Sequence, residues 1–217
     1  MILLDIHTHN EEASASAAIL NSRHYRSGRV ISIGIHPWHI EEHWQAEFRA
    51  IETAASNSNV AAIGECGIDR IKSPASIEMQ KSLFCAHAQL AEKVQKPLII
   101  HCVKAIDEII ALRKEIEPKQ PWIIHSFRGK PQQAEQLARA GFHISLGERF
   151  NPLSAKSIPA DKIFIESDES SMPLIDIYNS VAAAKGISTK ELARQTASNA
   201  RIFKQDFSNS LETVSEF

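Results

Sequence analysis

MILLDIHTHN, residues 1–10, runs four apolar residues into an acid and closes on His7-Thr8-His9. Near-continuous hydrophobicity marks a strand covered on both faces, as in a parallel sheet, whereas a half-solvated strand alternates. Residues two apart on a strand point the same way, so His7 and His9 converge beyond the end of the run. Two adjacent imidazoles are costly to bury unpaired, and imidazole is a common metal ligand. The pair therefore suits a cation if the rest of the chain supplies partners.

Similar runs recur along the chain, each closed by a polar or glycine-bearing segment: RVISIGI (29–35), NVAAIGE (59–65), PLIIHC (97–102), PWIIHS (121–126), FHISLG (142–147) and KIFIES (162–167). A weaker run, AAILNS (17–22), makes eight with ILLDI (2–6). Helical patterns lie between most of them. Trp44, Phe48, Ile51 and Ala55 follow helical spacing within 41–56, as do Leu83, His87, Leu90 and Val94 within 76–95. Pro131 with Gly141, and Pro173 with Gly186, bracket two more helices. Ser188 and Glu191 read as a capping box that starts a final helix ending near Gln205.

Strand and helix in alternation, eight times over, predict an α/β fold: a compact (β/α)8 TIM-type barrel. Between His9 and Ala17 there is no room for a helix, so the first crossover is shortened to a loop. An open doubly wound sheet is the alternative, but the chain has neither a G-x-G-x-x-G turn nor a P-loop. One barrel domain is expected over 1–205, followed by a loose C-terminal tail rich in Ser, Asn and Glu at 206–217.

The bulk composition narrows the function classes. A net charge of -2 on 217 residues gives no global attraction to nucleic acid or anionic membrane, so any polyanion binding needs a local patch. Cys66, Cys85 and Cys102 are odd in number and lack C-x-x-C spacing, which fits a reducing cytoplasm better than a disulfide framework. No stretch has the length of a transmembrane helix, and no obligatory protein partner is evident.

Functional groups of a parallel barrel gather at the C-terminal ends of its strands. Here His7 and His9, His36, Glu65, His101, His125 and Asp168 all stand at such ends. His7, His9, Glu65, His101, His125 and Asp168 are more donors than one tetrahedral ion needs, so two divalent ions sharing a carboxylate are the economical solution. Four imidazoles favour zinc or manganese on ligand type. Two ions would acidify a shared water, with Asp168 the best-placed carboxylate to take its proton. Asp5 and Glu166 share the parity of His7 and Asp168 and could orient them or serve as plain hydrogen-bonding groups. His36 either touches substrate or fills space. Cys66 and Cys102 each follow a donor by one residue, so alternation turns them toward the helix layer as packing residues. Arg23, Arg70, Lys72, Lys104, Arg128, Lys130 and Arg149 fall just past strand ends and form a candidate phosphate-holding rim.

The order His-x-His, GIHPW, AIGECGID (62–69), PLIIHC, IIHSFRG and ESD resembles the TatD-type deoxyribonucleases of the metal-dependent hydrolase superfamily, up to NARIF (199–203). The resemblance implies a (β/α)8 barrel that hydrolyses phosphodiester bonds, typically in DNA, with magnesium as a working ion. It implies one metal on His7, His9, Glu65 and Asp168, and a second on Glu65, His101 and His125, with Glu65 bridging and acting with Asp168 in catalysis. Departures fall beside these positions. G-x-H-P-H of the family is His36-Pro37-Trp38 here; H-x-R-x-A is His101-Cys102-Val103-Lys104-Ala105; HCFSG is His125-Ser126-Phe127-Arg128-Gly129; E-T-D-A-P is Glu166-Ser167-Asp168-Glu169-Ser170. His36, Lys104 and Arg128 are the candidate substrate contacts. An amidohydrolase or phosphomonoesterase on the same barrel, and a non-catalytic metal-binding homologue, are the competing readings.

Overall fold

Alternation of inward and outward side chains organises the fold, seen in a computed structural model that describes residues 2–13, 17–205 and 207. The strands are β1 (Asp5–Thr8), β2 (Ala18–Ser22), β3 (Ile31–Ile33), β4 (Val60–Asp69), β5 (Leu98–Val103), β6 (Trp122–Ile124), β7 (His143–Leu146) and β8 (Ile163–Ile165). They pair in parallel in strict chain order. A parallel bridge between Thr8 and Asp168 then joins the two outer strands, so the sheet closes on itself. Eight parallel strands in this order are the predicted TIM barrel.

Two apolar shells follow from the alternation. Ile19, Ile99, Ile123 and Phe164 fill the barrel interior with Leu4 and Ile6, and Ala200 and Phe203 seal its lower end. Their strand neighbours Leu98, Ile100, Trp122, Ile124, Ile163 and Ile165 face outward and meet the helices. Those helices are α1 (Trp44–Ala54), α2 (Ile77–Val94), α3 (Ile106–Ile116), α4 (Pro131–Arg139), α5 (Pro152–Ser157), α6 (Leu174–Lys185) and α7 (Thr189–Asn199). Ser76 caps α2 by accepting from Met79 N at 3.2 Å, and α6 stops at Gly186, whose φ of +73° suits glycine. The parity of Ile99 and Ile123 carries to His101 and His125, and that of Phe164 to Glu166, which aims these groups at the barrel axis above the apolar plug.

The structure extends the sequence reading in four places. Among the described residues the first crossover carries no helix, as expected, and the second, 23–30, also lacks one. Helices α3 and α5 were not anticipated, and α5 is too short to show a period. The last α-helix ends at Asn199 and not near Gln205, because the chain tightens into a 3-10 turn over Ala200–Phe203 that delivers Phe203 to the plug. Most relevant to the site, β4 does not stop at Glu65 but runs on to Asp69. The tail expected at 206–217 lies outside the described residues apart from Phe207, whose ring stands 6.4 Å from that of Phe203.

Candidate metal centre

Glu65 sits at the centre of the open end of the barrel, buried at 3% exposure. Its two oxygens face different groups. Oε1 lies 2.7 Å from His125 Nε2, 2.8 Å from His101 Nδ1 and 3.1 Å from His36 Nε2. Oε2 lies 3.4 Å from His7 Nε2 and 3.7 Å from His9 Nε2. Asp168 Oδ1 completes the second group, 3.9 Å from His7 Nε2 and 3.7 Å from His9 Nε2. The other five residues that the sequence marked as donors, with His36 beside them, thus gather around the Glu65 carboxylate.

Two of the imidazoles are oriented from outside. His101 Nε2 lies 3.0 Å from Asp69 Oδ2, and His125 Nδ1 lies 3.3 Å from Glu166 Oε1. A neutral imidazole that gives its one N–H to these outer carboxylates presents a lone pair inward. Both inward nitrogens then face the lone pairs of Glu65, an arrangement that is repulsive unless a proton or a cation stands between them. His7 is fully buried, yet neither ring nitrogen has a hydrogen-bond partner among the described residues. Orphaned buried donors and acceptors of this kind are expected where an ion binds, so the residues present fit a divalent cation. His36 differs, because its Nδ1 accepts from Trp38 N at 3.1 Å; its neutral form therefore holds the proton on Nε2 and donates toward Glu65.

The electrostatics agree. Burial alone would raise the Glu65 carboxyl, but the neighbouring His125 cation and hydrogen bonds from His101, His125 and His36 outweigh it and hold Glu65 well below the carboxylate range. Burial disfavours charge on His125 too, yet Glu65 and Glu166 hold that imidazolium well above its usual range. The His9 imidazole is raised chiefly by its interaction with Glu65, while burial lowers that of His36. Negative charge is concentrated where cations are wanted.

The site opens into a cleft of about 1150 Å³ whose lining includes His9, His36, Trp38, Lys72, His101, Lys104, Arg128, Arg149 and Asp168. A family model described as TatD related DNase matches residues 3–204. The chain belongs to the TatD family. This TatD-family chain is 31% identical over 191 residues to an uncharacterized metal-dependent hydrolase of Buchnera aphidicola, covering 78% of this chain and 72% of the relative. It is 30% identical over 196 residues to the 3'-5' ssDNA/RNA exonuclease TatD of Erwinia tasmaniensis, covering 77% of this chain and 75% of that one. Its fold matches the crystal structure of YjjV, a TatD homologue from Escherichia coli, with a TM-score of 0.82 at 19% identity over 94% of this chain and 98% of that one. The chain is a metal-dependent hydrolase of this family, and its TatD-type barrel brings together the donor groups for divalent metal.

Within the TatD barrel the remaining expectations sort by contact. Asp5 serves as a plain hydrogen-bonding group. Its Oδ1 accepts from Ser167 N at 2.9 Å and from His7 N at 3.4 Å, its Oδ2 from Ser167 Oγ at 2.6 Å, and burial pushes its carboxyl up to about 7. Arg128 leans over the site, Nη2 3.9 Å from Asp168 Oδ2 and 3.0 Å from Ser126 Oγ. Lys104 lines the cleft at a φ of +54°. The basic rim is thinner than the sequence suggested, since Arg23 is paired with Glu47 and Glu41, Arg70 with Glu108, and Lys130 lies outside the cleft lining. Cys66 is buried in the outer shell and Cys102 packs against it, as expected of packing residues.

Three contributors were missed. Asn21 at the end of β2 donates to Glu65 Oε2 at 3.3 Å and accepts from Glu65 N at 3.0 Å. Asp69 gathers four donors: the amides of Ile71 and Lys72 on Oδ1, and His101 with the indole N–H of Trp38 on Oδ2. Burial would raise Asp69, but these donors, Trp38 first, bring it down to about 2. Its signal was available, because 65, 67 and 69 share one face of a continued strand. For Trp38 the signal was its place in the HPW departure. Among the described residues, no helix is long and apolar enough to cross a membrane.

Proposed function

We propose that this chain is a phosphodiesterase acting on nucleic acid, with DNA as the substrate, and that it works with two divalent ions bridged by Glu65. His7, His9, Glu65 and Asp168 would hold one ion, and Glu65, His101 and His125 the other; four imidazoles suit zinc or manganese on ligand type, while magnesium is the ion the family resemblance implies. The observation that carries the reading is the division of Glu65, with Oε1 among His36, His101 and His125 and Oε2 toward His7 and His9. The name of the Erwinia relative, an ssDNA/RNA exonuclease, supports nucleic acid as the substrate class. A cytoplasmic location belongs to the same reading, on the three free cysteines.

When bound, such an ion pair supplies an acidified water and polarises the phosphoryl oxygens. The chain's own groups do the rest. Asp168, 20% exposed and opening on the cleft, takes a proton from the attacking water. Arg128 and Lys104 offer cations to the phosphate oxygens, and His36, whose Nε2–H is turned to Glu65, lines the cleft beside them. The water oxygen bonds to phosphorus, the bond from phosphorus to the leaving sugar oxygen breaks, and the proton delivered to Asp168 is available to that oxygen. Asp69 and Glu166 keep His101 and His125 aimed inward while this happens.

Elemental analysis of the purified protein beside His101→Ala tests the proposal, together with turnover of single-stranded DNA, a phosphomonoester and a simple amide. The expected result is two ions per chain falling to about one in the variant, with the phosphodiester cleaved fastest. Fewer than one ion per chain in both proteins, or faster turnover of the amide or monoester, would overturn it.

A further inference from the structure

We infer that Trp38 is a docking platform for one nucleobase of the substrate, seated beside the scissile phosphodiester, with Lys72 and Ile71 completing the platform; this rests on the phosphodiesterase reading. Trp38 stands where the TatD pattern carries an imidazole, and it is not absorbed into the donor cluster. Its indole lies 4.7 Å from the His36 ring and 5.8 Å from the His101 ring, centroid to centroid, at steep angles to both. The indole therefore borders the candidate metal centre.

Three further observations point to a stacking role. The ring is held rigidly, because its N–H donates to Asp69 Oδ2 at 2.7 Å and Asp69 is itself fixed by two backbone amides. A pre-oriented aromatic surface loses little freedom on binding. Lys72 Nζ rests 4.5 Å above the ring, and among the described residues it has no carboxylate partner, so it is free to follow a phosphate when a base takes its place. Ile71, on the turn that Asp69 holds, lines the cleft at 65% exposure and adds apolar surface to it. Aromatic surface, adjoining apolar area and an unpaired cation together match the face of a base and the phosphate attached to it. Because every base has such a face, the platform would favour a base over none without choosing strongly among the four.

The test uses the full-length, metal-loaded protein and a thymidine dinucleotide, compared with analogues that lack the base at one position or the other. In the wild type, loss of the base at one position should lower kcat/KM by about fivefold or more, the low end for one stacked base. Trp38→Ala should reduce that preference below twofold, mainly through KM. Trp38→Phe keeps a ring but removes the bond to Asp69, and should keep most of the preference. Retention of the preference in Trp38→Ala, or its equal loss in both variants, would overturn the platform; equal loss would assign Trp38 to holding Asp69. A second reading needs no alanine variant: immediate quenching of indole fluorescence when the dinucleotide is added, present in the wild type and absent in Trp38→Phe. Lack of quenching in the wild type overturns the proposal. Wild type that cleaves all three compounds equally refutes the platform alone, whereas metal-loaded wild type that cleaves none refutes the phosphodiesterase reading with it.

Discussion

His87 should make this barrel acid-sensitive, by an amount that can be worked out. It is fully buried on α2, where Nδ1 bonds to the Leu83 carbonyl at 2.9 Å and Nε2 accepts from Ile35 N at 3.1 Å, with its ring edge-on to Phe48 at 4.9 Å. Both nitrogens are used by the neutral form, and burial pushes the imidazole down to about 4 from 6.5. The unfolded chain therefore binds more protons than the folded one between these values, and stability falls as pH falls through that window. From pH 7.5 to pH 5, proton uptake by the unfolded state costs about 2 kcal/mol through this residue alone. The perturbation is His87→Leu, which removes the titrating group and leaves Ile35 N without its acceptor, at a cost of roughly 1–3 kcal/mol near neutrality. Urea unfolding of both proteins in chelator, at pH 7.5 and pH 5, should show the gap between them narrow by about 2 kcal/mol at the lower pH. His143, also lowered to about 4 by burial, titrates in both proteins and so drops out of the comparison. Parallel decline of the two proteins would refute the assignment of acid sensitivity to His87.

Other outcomes bear on the site. Asp69→Asn turns an amide N–H₂ toward a set of four donors and deprives His101 of its anchor, so metal affinity measured by titration should fall by about 10–100-fold; unchanged affinity would show that His101 needs no such support. Gly67→Ala would place a Cβ 1.9 Å from the His101 carbonyl at a φ of +154°, and should lose on the order of 4 kcal/mol or more in a denaturant melt, a result a loss below 1 kcal/mol would contradict. Arg128→Ala removes one charged contact to phosphate and should raise KM about tenfold with kcat little changed; a fall in kcat at constant KM would move Arg128 from holding substrate to the reaction itself.

The barrel was legible because buried parallel strands leave an apolar imprint that survives without partners, and even the weak run 17–22 corresponds to β2. The convergence of the six candidate donors was legible for a related reason, since each stands at the end of such a run. Asp69 was hidden by Gly67, which breaks the apolar run after Glu65. That glycine is required by contact across strands, because the His101 carbonyl occupies the space a side chain would need. Asn21 was hidden because an amide is ordinary at the end of a strand, and only the curved sheet shows it reaching Glu65 across β3. Pairings such as Arg70 with Glu108 depend on where loops settle relative to helices, which no local pattern records.

The bridge between Thr8 and Asp168 lies inside the donor cluster. His9 N donates to Asp168 O and Asp168 N to His7 O, each at 3.0 Å, so the first and last strands are laced together by the backbone of the very residues that line the site. Ring closure and assembly of the centre are therefore one event, spanning nearly the whole chain and reached late in a search that favours short loops. An ion held by His7, His9 and Asp168 would act as a clasp: at a hundredfold excess over its dissociation constant it would add about 2.7 kcal/mol to the closed form. Chelation should then loosen the ring first at this join, which amide exchange at His9 and Asp168 would register before the far side of the barrel responds.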